Sequence, residues 1–365
     1  MKIPKKYREF YAECATMLRR IIEKKSTVKR EAYKNKNNPT EYLAFLDKLV
    51  QNYDLLEKII EAHEFLRKDK FYSVILCYEI LNSKINSQYW KKKFEETKGD
   101  SEILHVSRQK FIRLNTLKAS EDDLKELEVE ATKIPNVYKL KSNTNFAQNK
   151  LFKEGKLIVQ NIASCLPAFL LNPKEGSTVI DACSAPGNKT SHLSAIMNNT
   201  GKIFAVEVDK YRFNLMKSRL NRFGIKNVKC LNEDFFEVSK DEYKKVDYIL
   251  VDPTCSGSGI HDYYNEDDER TEGLQKFQIK LLKHAMTFSA DKIVYSTCSI
   301  NRKEGEDVVN EAIKESDYEI LDLSKEFKHL EESEIKFSES FIRCEGSKDK
   351  ETIGFFAAVL IKKTK

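Results

Sequence analysis

The stretch VDYILVDPTCSGSG at 246–259 decides the fold: an apolar run ends at an Asp-Pro pair, and the loop that follows carries Cys255. The stretch KIVYSTCS at 292–299 repeats this design and places Cys298 at its end. Runs that are apolar at every position and end in turn residues are typical of strands buried on both faces. Each run therefore predicts a buried strand with a cysteine at its carboxyl end.

Three similar apolar strands precede these two, and helical segments such as KYRFNLMKSRLNRFG at 210–224 separate them. Apolar strands that alternate with helices predict a mostly parallel sheet covered on both faces, which is a doubly wound, Rossmann-like α/β fold. Two later segments, YEILDLS and GFFAAVL, are expected to complete the sheet, the second as an antiparallel edge strand. The three earlier strands are STVIDAC at 177–183, KIFAVEV at 202–208 and NVKCLNED at 227–234.

Two shorter regions precede this domain, to which we assign residues 166–365. Residues 1–100 contain no alternating strand pattern and include the apolar segment FYSVILCYEIL, which predicts a helical region. Residues 101–165 contain short segments such as FIRLNTLK, VYKLKS and KLIVQNIAS, which predict a small α/β module.

The positive charge of the chain is concentrated near its beginning. Residues 1–110 carry 24 Lys and Arg against 16 Asp and Glu, whereas the remaining residues carry 39 against 41. This excess favours either a basic RNA-binding surface or a lysine-rich helical surface that faces solvent, and charge alone leaves both open.

Composition predicts an ordinary globular protein, with 41% hydrophobic and 33% charged residues among 365. No apolar run approaches the roughly 18 residues of a membrane span, so we expect an intracellular protein without a membrane partner. The eight cysteines form no C-x-x-C pair, so we expect free thiols and no metal.

The loop after the first strand, within DACSAPGNKTSHL, is expected to bind a ligand, because ligands of doubly wound folds lie beyond the carboxyl ends of the strands. Pro186 and Gly187 allow a tight turn into a helix, but Asn188 precedes Lys189 and no G-x-G-x-x-G is present, which excludes a P-loop and a dinucleotide site. The next three strands end in acids that can accept hydrogen bonds from ribose hydroxyls or cap the following turns. Three such acids around one crevice favour a ligand without pyrophosphate, such as S-adenosylmethionine (SAM); they are Glu207, Asp234 and Asp252.

DACSAPGNKT, FAVEVD, DPTCSGSG and YSTCS together resemble the NSUN-type (Nop/Sun, Fmu-like) RNA cytosine-C5 methyltransferases, over roughly residues 105–363. PGNKTSH and CSGSG are most similar to the branch that modifies large-subunit ribosomal RNA. The resemblance implies a class I methyltransferase domain with SAM as cofactor. The SAM site that it implies comprises Cys183, Ser184, Ala185, Pro186, Gly187, Asn188, Lys189, Glu207, Arg212, Asp234 and Asp252.

The two thiols then have separate roles. C5 of cytosine is a weak nucleophile until a thiolate adds to C6, and the C5 proton must later leave so that the adduct can break. The resemblance assigns the addition to Cys298, the release to Cys255 and assistance at N3 to Asp252. Cytosine methyltransferases that act on DNA use instead the cysteine after a proline, whereas Thr254 precedes Cys255 here.

The sequence thus predicts an RNA (cytosine-5-)-methyltransferase of large-subunit rRNA, located in the nucleus and nucleolus, and a monomer. A tRNA-directed enzyme and a non-catalytic RNA-binding assembly factor remain alternatives. Arg113 and Asn115 of the small module are expected to hold the RNA backbone. We expect the other cysteines to be inert packing residues; they are Cys14, Cys77, Cys165, Cys230 and Cys344.

Overall fold

The computed structural model describes residues 3, 5–23, 25–26, 28, 31–32, 39–99, 101, 103, 109–141, 146, 148–260, 268–327, 335–338, 340–344 and 352–363. Across these ranges, no helix combines the length and the apolar character that a membrane span requires. The chain divides into two compact units, Met1–Ser107 and Arg108–Lys365. The second unit includes the segments that we predicted as the small module and as the doubly wound domain.

The first unit is helical where it is described. Its helices are Lys5–Ile22 (α1), Pro39–Gln51 (α2), Tyr53–Ala62 (α3), Lys70–Leu81 (α4) and Gln88–Lys98 (α5). Helix α4, predicted from its apolar sequence, is buried without interruption from Tyr72 to Ile80 and forms the centre of this unit. The Tyr11 hydroxyl of α1 donates a buried hydrogen bond of 2.6 Å to Glu79 of α4, so a polar contact also fixes how these two helices pack.

The second unit begins with a small antiparallel sheet whose strands follow the order β2-β3-β1-β4. Ile112 lies opposite Tyr138 on one side and opposite Val159 on the other, so β1 is an interior strand. Apolar side chains from these strands pack on Phe152 and Leu124 and give this sheet its own core. The elements are Phe111–Leu114 (β1), Val129–Ala131 (β2), Val137–Leu140 (β3), Leu157–Val159 (β4), the short helix Lys150–Lys153 (α6) and the 3-10 helix Glu121–Leu124.

The larger sheet contains the five predicted parallel strands in the order β7-β6-β5-β8-β9. The order reverses direction between β5 and β8, which is where doubly wound folds bind ligands. These strands, each within its predicted stretch, are Thr178–Asp181 (β5), Lys202–Val206 (β6), Val228–Leu231 (β7), Tyr248–Val251 (β8) and Lys292–Thr297 (β9).

Four further strands extend this sheet beyond β9. The predicted antiparallel direction of β13 is confirmed, but its predicted edge position is wrong, because β13 pairs with β9 on one side and with β12 and β10 on the other. Its first six residues are buried, as expected for an interior strand. The strands are Tyr318–Ile320 (β10), Ile335–Ser338 (β11), Phe341–Cys344 (β12) and Phe355–Lys362 (β13).

Alternating strand residues fill two separate cores, one on each face of the larger sheet. Val179 packs into the core under α7, whereas its neighbour Ile180 packs into the core under α10. Helices cover both faces, so the ends of the strands are the expected place for a ligand. The helices are Ile162–Leu171 (α7), Asn188–Ile196 (α8), Lys210–Arg222 (α9), Asp268–Thr287 (α10), Glu306–Ile313 (α11) and Leu323–Glu326 (α12), with 3-10 helices at Phe235–Glu237, Lys240–Glu242 and Arg302–Glu304.

Candidate active site

The loop between β5 and α8 is held in shape by its own backbone and by β6. Gly187 has a φ of 95° and caps α8, and a Cβ there would lie 3.2 Å from Met216, so this position suits glycine. The amide and the hydroxyl of Ser184 both donate to the carbonyl of Val206 at 2.9 Å. The Ala185–Pro186 peptide bond is cis, and Asn188 is the first residue of α8. The tight turn predicted at Pro186 and Gly187 is therefore confirmed.

Glu207 follows β6 and is buried beside this loop. Its carboxylate accepts a hydrogen bond of 2.9 Å from the amide of Asp209 and lies 3.3 Å from the guanidinium of Arg212. Arg212 also donates to the carbonyl of Ala185 at 2.7 Å, which joins the end of β6 to the β5–α8 loop. Glu207, Arg212 and the loop, which the sequence assigned to one site, are thus brought together.

Asp234 lies beyond the end of β7 and is exposed. Its Oδ1 accepts a hydrogen bond of 3.0 Å from the amide of Phe236, so it caps the 3-10 helix Phe235–Glu237. One oxygen of Asp234 therefore caps the following turn, which the sequence offered as an alternative to ligand binding. Cys183 is half-buried, and burial raises the pKa of its thiol above its ordinary value.

Asp252, after β8, is contacted from two sides. Lys189 of α8 donates to its Oδ2 and Ser296 of β9 donates to its Oδ1, both at 2.7 Å. Burial alone lowers the pKa of Lys189, but the charge of Asp252 and its hydrogen bond outweigh burial and raise it. Lys189 is therefore a cation fixed between the β5–α8 loop and the ends of β8 and β9.

The two predicted catalytic thiols are in contact. Cys255 Sγ and Cys298 Sγ lie 3.1 Å apart, a hydrogen-bonding distance that is well beyond a disulfide bond of about 2.05 Å. They meet because β8 and β9 are adjacent parallel strands, with Val251 opposite Tyr295, so that both loops leave the same edge of the sheet. The hydrogen bond to Cys298 and then burial raise the pKa of Cys255 well above its ordinary value.

Five other cysteines were predicted to be inert packing residues. Cys14, Cys77, Cys165 and Cys344 are buried, as predicted for packing residues, whereas Cys230 is half-buried on β7. Burial raises the pKa of Cys165 to about 12. Among the described residues, no three His, Cys, Asp or Glu side chains cluster as metal ligands would.

The expectation that Arg113 and Asn115 hold RNA is wrong, because both side chains are buried. Arg113 donates to Ser191 at 2.7 Å and to the carbonyl of Asn188 at 3.2 Å, so it supports the start of α8 from the small sheet. Asn115 donates to the carbonyls of Gly155 and Phe223, each at 2.8 Å. Both residues join parts of the second unit together.

Sequence reasoning missed a polar group behind the thiols. Glu304, fully buried, accepts hydrogen bonds from Ser256 and Ser299, the residues that directly follow Cys255 and Cys298. A glutamate 48 residues from one partner and five from the other gives no sequence signal.

The part of the site around Glu207 and the β5–α8 loop fits SAM. A carboxylate has about four lone-pair sites, and Asp209 and Arg212 use only part of the capacity of Glu207, which leaves acceptors for two ribose hydroxyls. Val208, 65% exposed beside Glu207, offers an apolar surface to a base. Together with the strand order, this site defines a class I, Rossmann-like SAM-dependent methyltransferase.

Comparisons with known proteins narrow this class. Residues 168–361 match the 16S rRNA methyltransferase RsmB/F family. The 25S rRNA (cytosine-C(5))-methyltransferase of Schizosaccharomyces pombe is 31% identical over 96% of this chain and 91% of its own length. The 28S rRNA (cytosine-C(5))-methyltransferase of Mus musculus is 39% identical over 62% of this chain, which spans about half of the mouse protein (51%). A methyltransferase homologue from Pyrococcus horikoshii, 25% identical, matches 85% of this chain and 99% of its own with a TM-score of 0.61.

The chain belongs to the RsmB/F family of rRNA methyltransferases, and its methyl donor is SAM.

Proposed function

We propose that this chain methylates C5 of a cytidine in large-subunit rRNA, with Cys298 as the nucleophile and Cys255 as the base that completes the cycle. The contact of 3.1 Å between the two thiols, beside the Lys189–Asp252 pair, carries this proposal. The 25S and 28S rRNA named for the yeast and mouse relatives support the large subunit as the source of the RNA.

The proposed mechanism requires a thiolate at Cys298. Two thiols in contact do not ionise independently, and the one that keeps its proton donates a hydrogen bond to the other. We assign the retained proton to Cys255, whose pKa is raised by its hydrogen bond to Cys298 and by burial. The charge of Cys298 in turn contributes to raising the pKa of Lys189, so this cation stabilises the thiolate.

Addition of the Cys298 thiolate to C6 forms a C–S bond and moves an electron pair to C5. In this mechanism Asp252, anchored by Lys189, assists the addition by donating a proton or a hydrogen bond to N3 of the cytosine. SAM, when bound, supplies an electrophilic methyl group, which the electron pair at C5 takes.

Release then falls to Cys255. Once Cys298 is bound to C6 it carries no charge, so the largest of the effects that raise the pKa of Cys255 disappears, while burial remains. Cys255 can lose its proton to solvent and, as a thiolate, take the C5 proton; the C5–C6 double bond then forms again and the C6–S bond breaks to return the Cys298 thiolate. One contact between thiols thus serves both ends of the cycle.

The target base must leave its stack to reach the thiols, so we propose a single-stranded or loosened RNA segment as substrate. We further propose residues 1–100 as the RNA-binding region, 101–165 as a supporting module and 166–365 as the methyltransferase domain of a nucleolar monomer. Fluorescence microscopy with a nucleolar marker and light scattering of the purified protein test the location and the monomer.

Two variants of the thiols test the mechanism. Cys298→Ala should lose methylation and form no covalent complex, since C5 never becomes nucleophilic without addition at C6. Cys255→Ala should still add and transfer methyl but release slowly, so that a protein–RNA complex survives denaturing electrophoresis. Cys230→Ala serves as a control that should behave as the unchanged protein.

The pattern of adducts separates the alternatives. A complex that accumulates with Cys298→Ala instead of Cys255→Ala would exchange the two roles, and no methylation by the unchanged protein on any RNA would favour an assembly factor. Bisulfite sequencing of rRNA and tRNA from cells with and without the protein identifies the substrate. Loss of cytidine methylation in tRNA alone, with rRNA methylation unchanged, would overturn the rRNA assignment.

A further inference from the structure

Glu304 is a fully buried carboxylate at the end of the 3-10 helix Arg302–Glu304, on the far side of the loops that carry the thiols. It lies outside every set of residues discussed above as nucleophile, base or SAM contact. Isolated buried carboxylates are costly, so the partners of this side chain show what it does.

Both oxygens of Glu304 accept hydrogen bonds. Oε1 accepts from the amide of Ser256 at 2.8 Å and from the side chain of Gln278 at 3.1 Å, and Oε2 accepts from the Ser299 hydroxyl at 2.7 Å and from the Ser256 hydroxyl. Ser256 follows Cys255 and Ser299 follows Cys298. One carboxylate therefore holds the residue next to each thiol.

Further hydrogen bonds extend the same connection. The hydroxyls of Ser258 and Ser299 lie 2.8 Å apart, and Ser258 accepts from the amide of Ile300 at 3.0 Å. Gln278, on α10, also donates to the carbonyl of Thr254 at 3.0 Å, on the other side of Cys255. The connection between the two loops is buried and polar, and four of its hydrogen bonds end on Glu304.

We propose that Glu304 is a positioning residue that sets the distance between Cys255 and Cys298 and thereby the rate of methyl transfer. The proposal rests on the roles of the two thiols given above. Two loops that leave adjacent strands have no covalent reason to keep their tips in contact, and catalytic groups need supporting hydrogen bonds to hold them within about 0.5 Å. The hydrogen bonds of Glu304 described above end on Ser256, Ser299 and Gln278, so we assign its positioning role to Ser256 and Ser299; its charge also contributes to raising the pKa of Cys255.

Glu304→Gln is the informative variant because it keeps the size of the side chain. One accepting oxygen becomes an NH₂ group, which faces donors unless the serine hydroxyls rotate, so the loops shift while the fold persists. We expect kcat to fall about 10- to 100-fold, as for a catalytic group misplaced by about 1 Å, with KM for RNA and Kd for SAM unchanged. Ser299→Ala, which removes one donor, should give the same pattern at smaller magnitude.

Asp247→Asn is the matched control. Asp247 precedes β8 and accepts a hydrogen bond of 2.8 Å from the amide of Thr178, so it holds the opposite end of the same strand. Like Glu304→Gln, the Asp247→Asn variant replaces one carboxylate oxygen by an NH₂ group, but away from the thiol loops, and it should leave kcat and KM unchanged.

A trivalent arsenical reports the thiol distance without any turnover. Phenylarsine oxide reacts with two nearby thiols to form two As–S bonds and one water, and its affinity requires both sulfurs within reach of one arsenic. We expect the unchanged protein to bind it, Cys298→Ser to lose this binding, and Glu304→Gln to bind at least about 10-fold more weakly.

The readouts separate positioning from stability. A lower kcat together with weaker arsenical binding, at a melting temperature like that of the control, supports the proposal. Arsenical binding by Glu304→Gln as tight as by the unchanged protein would overturn it, whatever the rate. Weaker arsenical binding with full activity would keep the positioning role and instead overturn the proposed roles of the thiols.

Discussion

The two halves of the site are built on different principles. At the ends of β5 and β6, Glu207 and Arg212 form a hydrogen-bonding surface that retains acceptor capacity and borders on the exposed Val208. At the ends of β8 and β9, two thiols lie in contact above a buried polar network centred on Glu304. In the mechanism that we propose, the first half recognises a ligand through several weak contacts, whereas the second makes and breaks a covalent bond.

This difference predicts how each half fails. Loss of one hydrogen bond among several weakens binding by a graded amount, because the other contacts remain. Loss of a group that reacts, or that holds a reacting group, removes a step that no neighbour supplies. Variants of the half at the ends of β5 and β6, the SAM half, should change the affinity for SAM. Variants of the half at the ends of β8 and β9, the thiol half, should change kcat.

The largest effect that tests this division is expected for Asp252→Asn, because Asp252 contacts both halves through Lys189 and Ser296. An amide cannot accept from both donors, so we expect kcat to fall by about 10²- to 10⁴-fold. Affinity for SAM should fall only a few-fold, since Lys189 loses its anchor. Single-turnover kinetics and calorimetry measure the two effects, and a variant that changes SAM affinity alone would contradict a role at the thiols.

A smaller effect is expected for Glu207→Ala. Its removal leaves ribose hydroxyls without acceptors in a partly closed site, so SAM binding should weaken by about 1.5–3 kcal/mol. At saturating SAM, kcat should stay close to that of the unchanged protein. Calorimetric titration measures the Kd for SAM, with the exposed Glu237→Ala as control. Equal SAM affinities of the two variants would show that Glu207 does not bind SAM.

The smallest effect on activity is expected for Asp181→Asn at the end of β5. Burial raises the pKa of Asp181 from its ordinary 3.8 to about 7, so the folded protein favours the protonated form. The stability that Asp181 contributes is complete below about pH 4 and is lost as the pH rises towards 7. Asp181→Asn should therefore gain about 5 °C in melting temperature, relative to the unchanged protein, between pH 4 and pH 7. A difference that is constant with pH would contradict a buried, titrating Asp181.

Much of the thiol half could be predicted from sequence. Apolar runs that end at Asp252 and Thr297 locate β8 and β9, and parallel strands bring their carboxyl ends to one edge, so the meeting of Cys255 and Cys298 follows from strand order. The tight turn at Gly187 and the position of Glu207 follow from local patterns in the same way.

Contacts between residues that are far apart in the sequence could not be predicted. The burial of Arg113 contradicts the usual surface position of arginine, and it depends on Gln160 and Ser191, which come near only in the folded chain. Lys189 and Asp252 were both assigned to the SAM site, but their ion pair spans 63 residues. Strands β11 and β12 have four residues each and were not predicted; β11 pairs with β12, and β12 pairs with β13.

The interior position of β13 has a consequence for synthesis of the chain. The strand that flanks β9 comprises residues 355–362, so β9 keeps an open edge until these residues have been made. At roughly 5–20 residues per second, the ribosome needs about 3–13 s to travel from residue 297, where β9 ends, to residue 362. During this interval β9 exposes an apolar edge, so we expect chaperones that bind such edges to retain the nascent chain until β13 emerges.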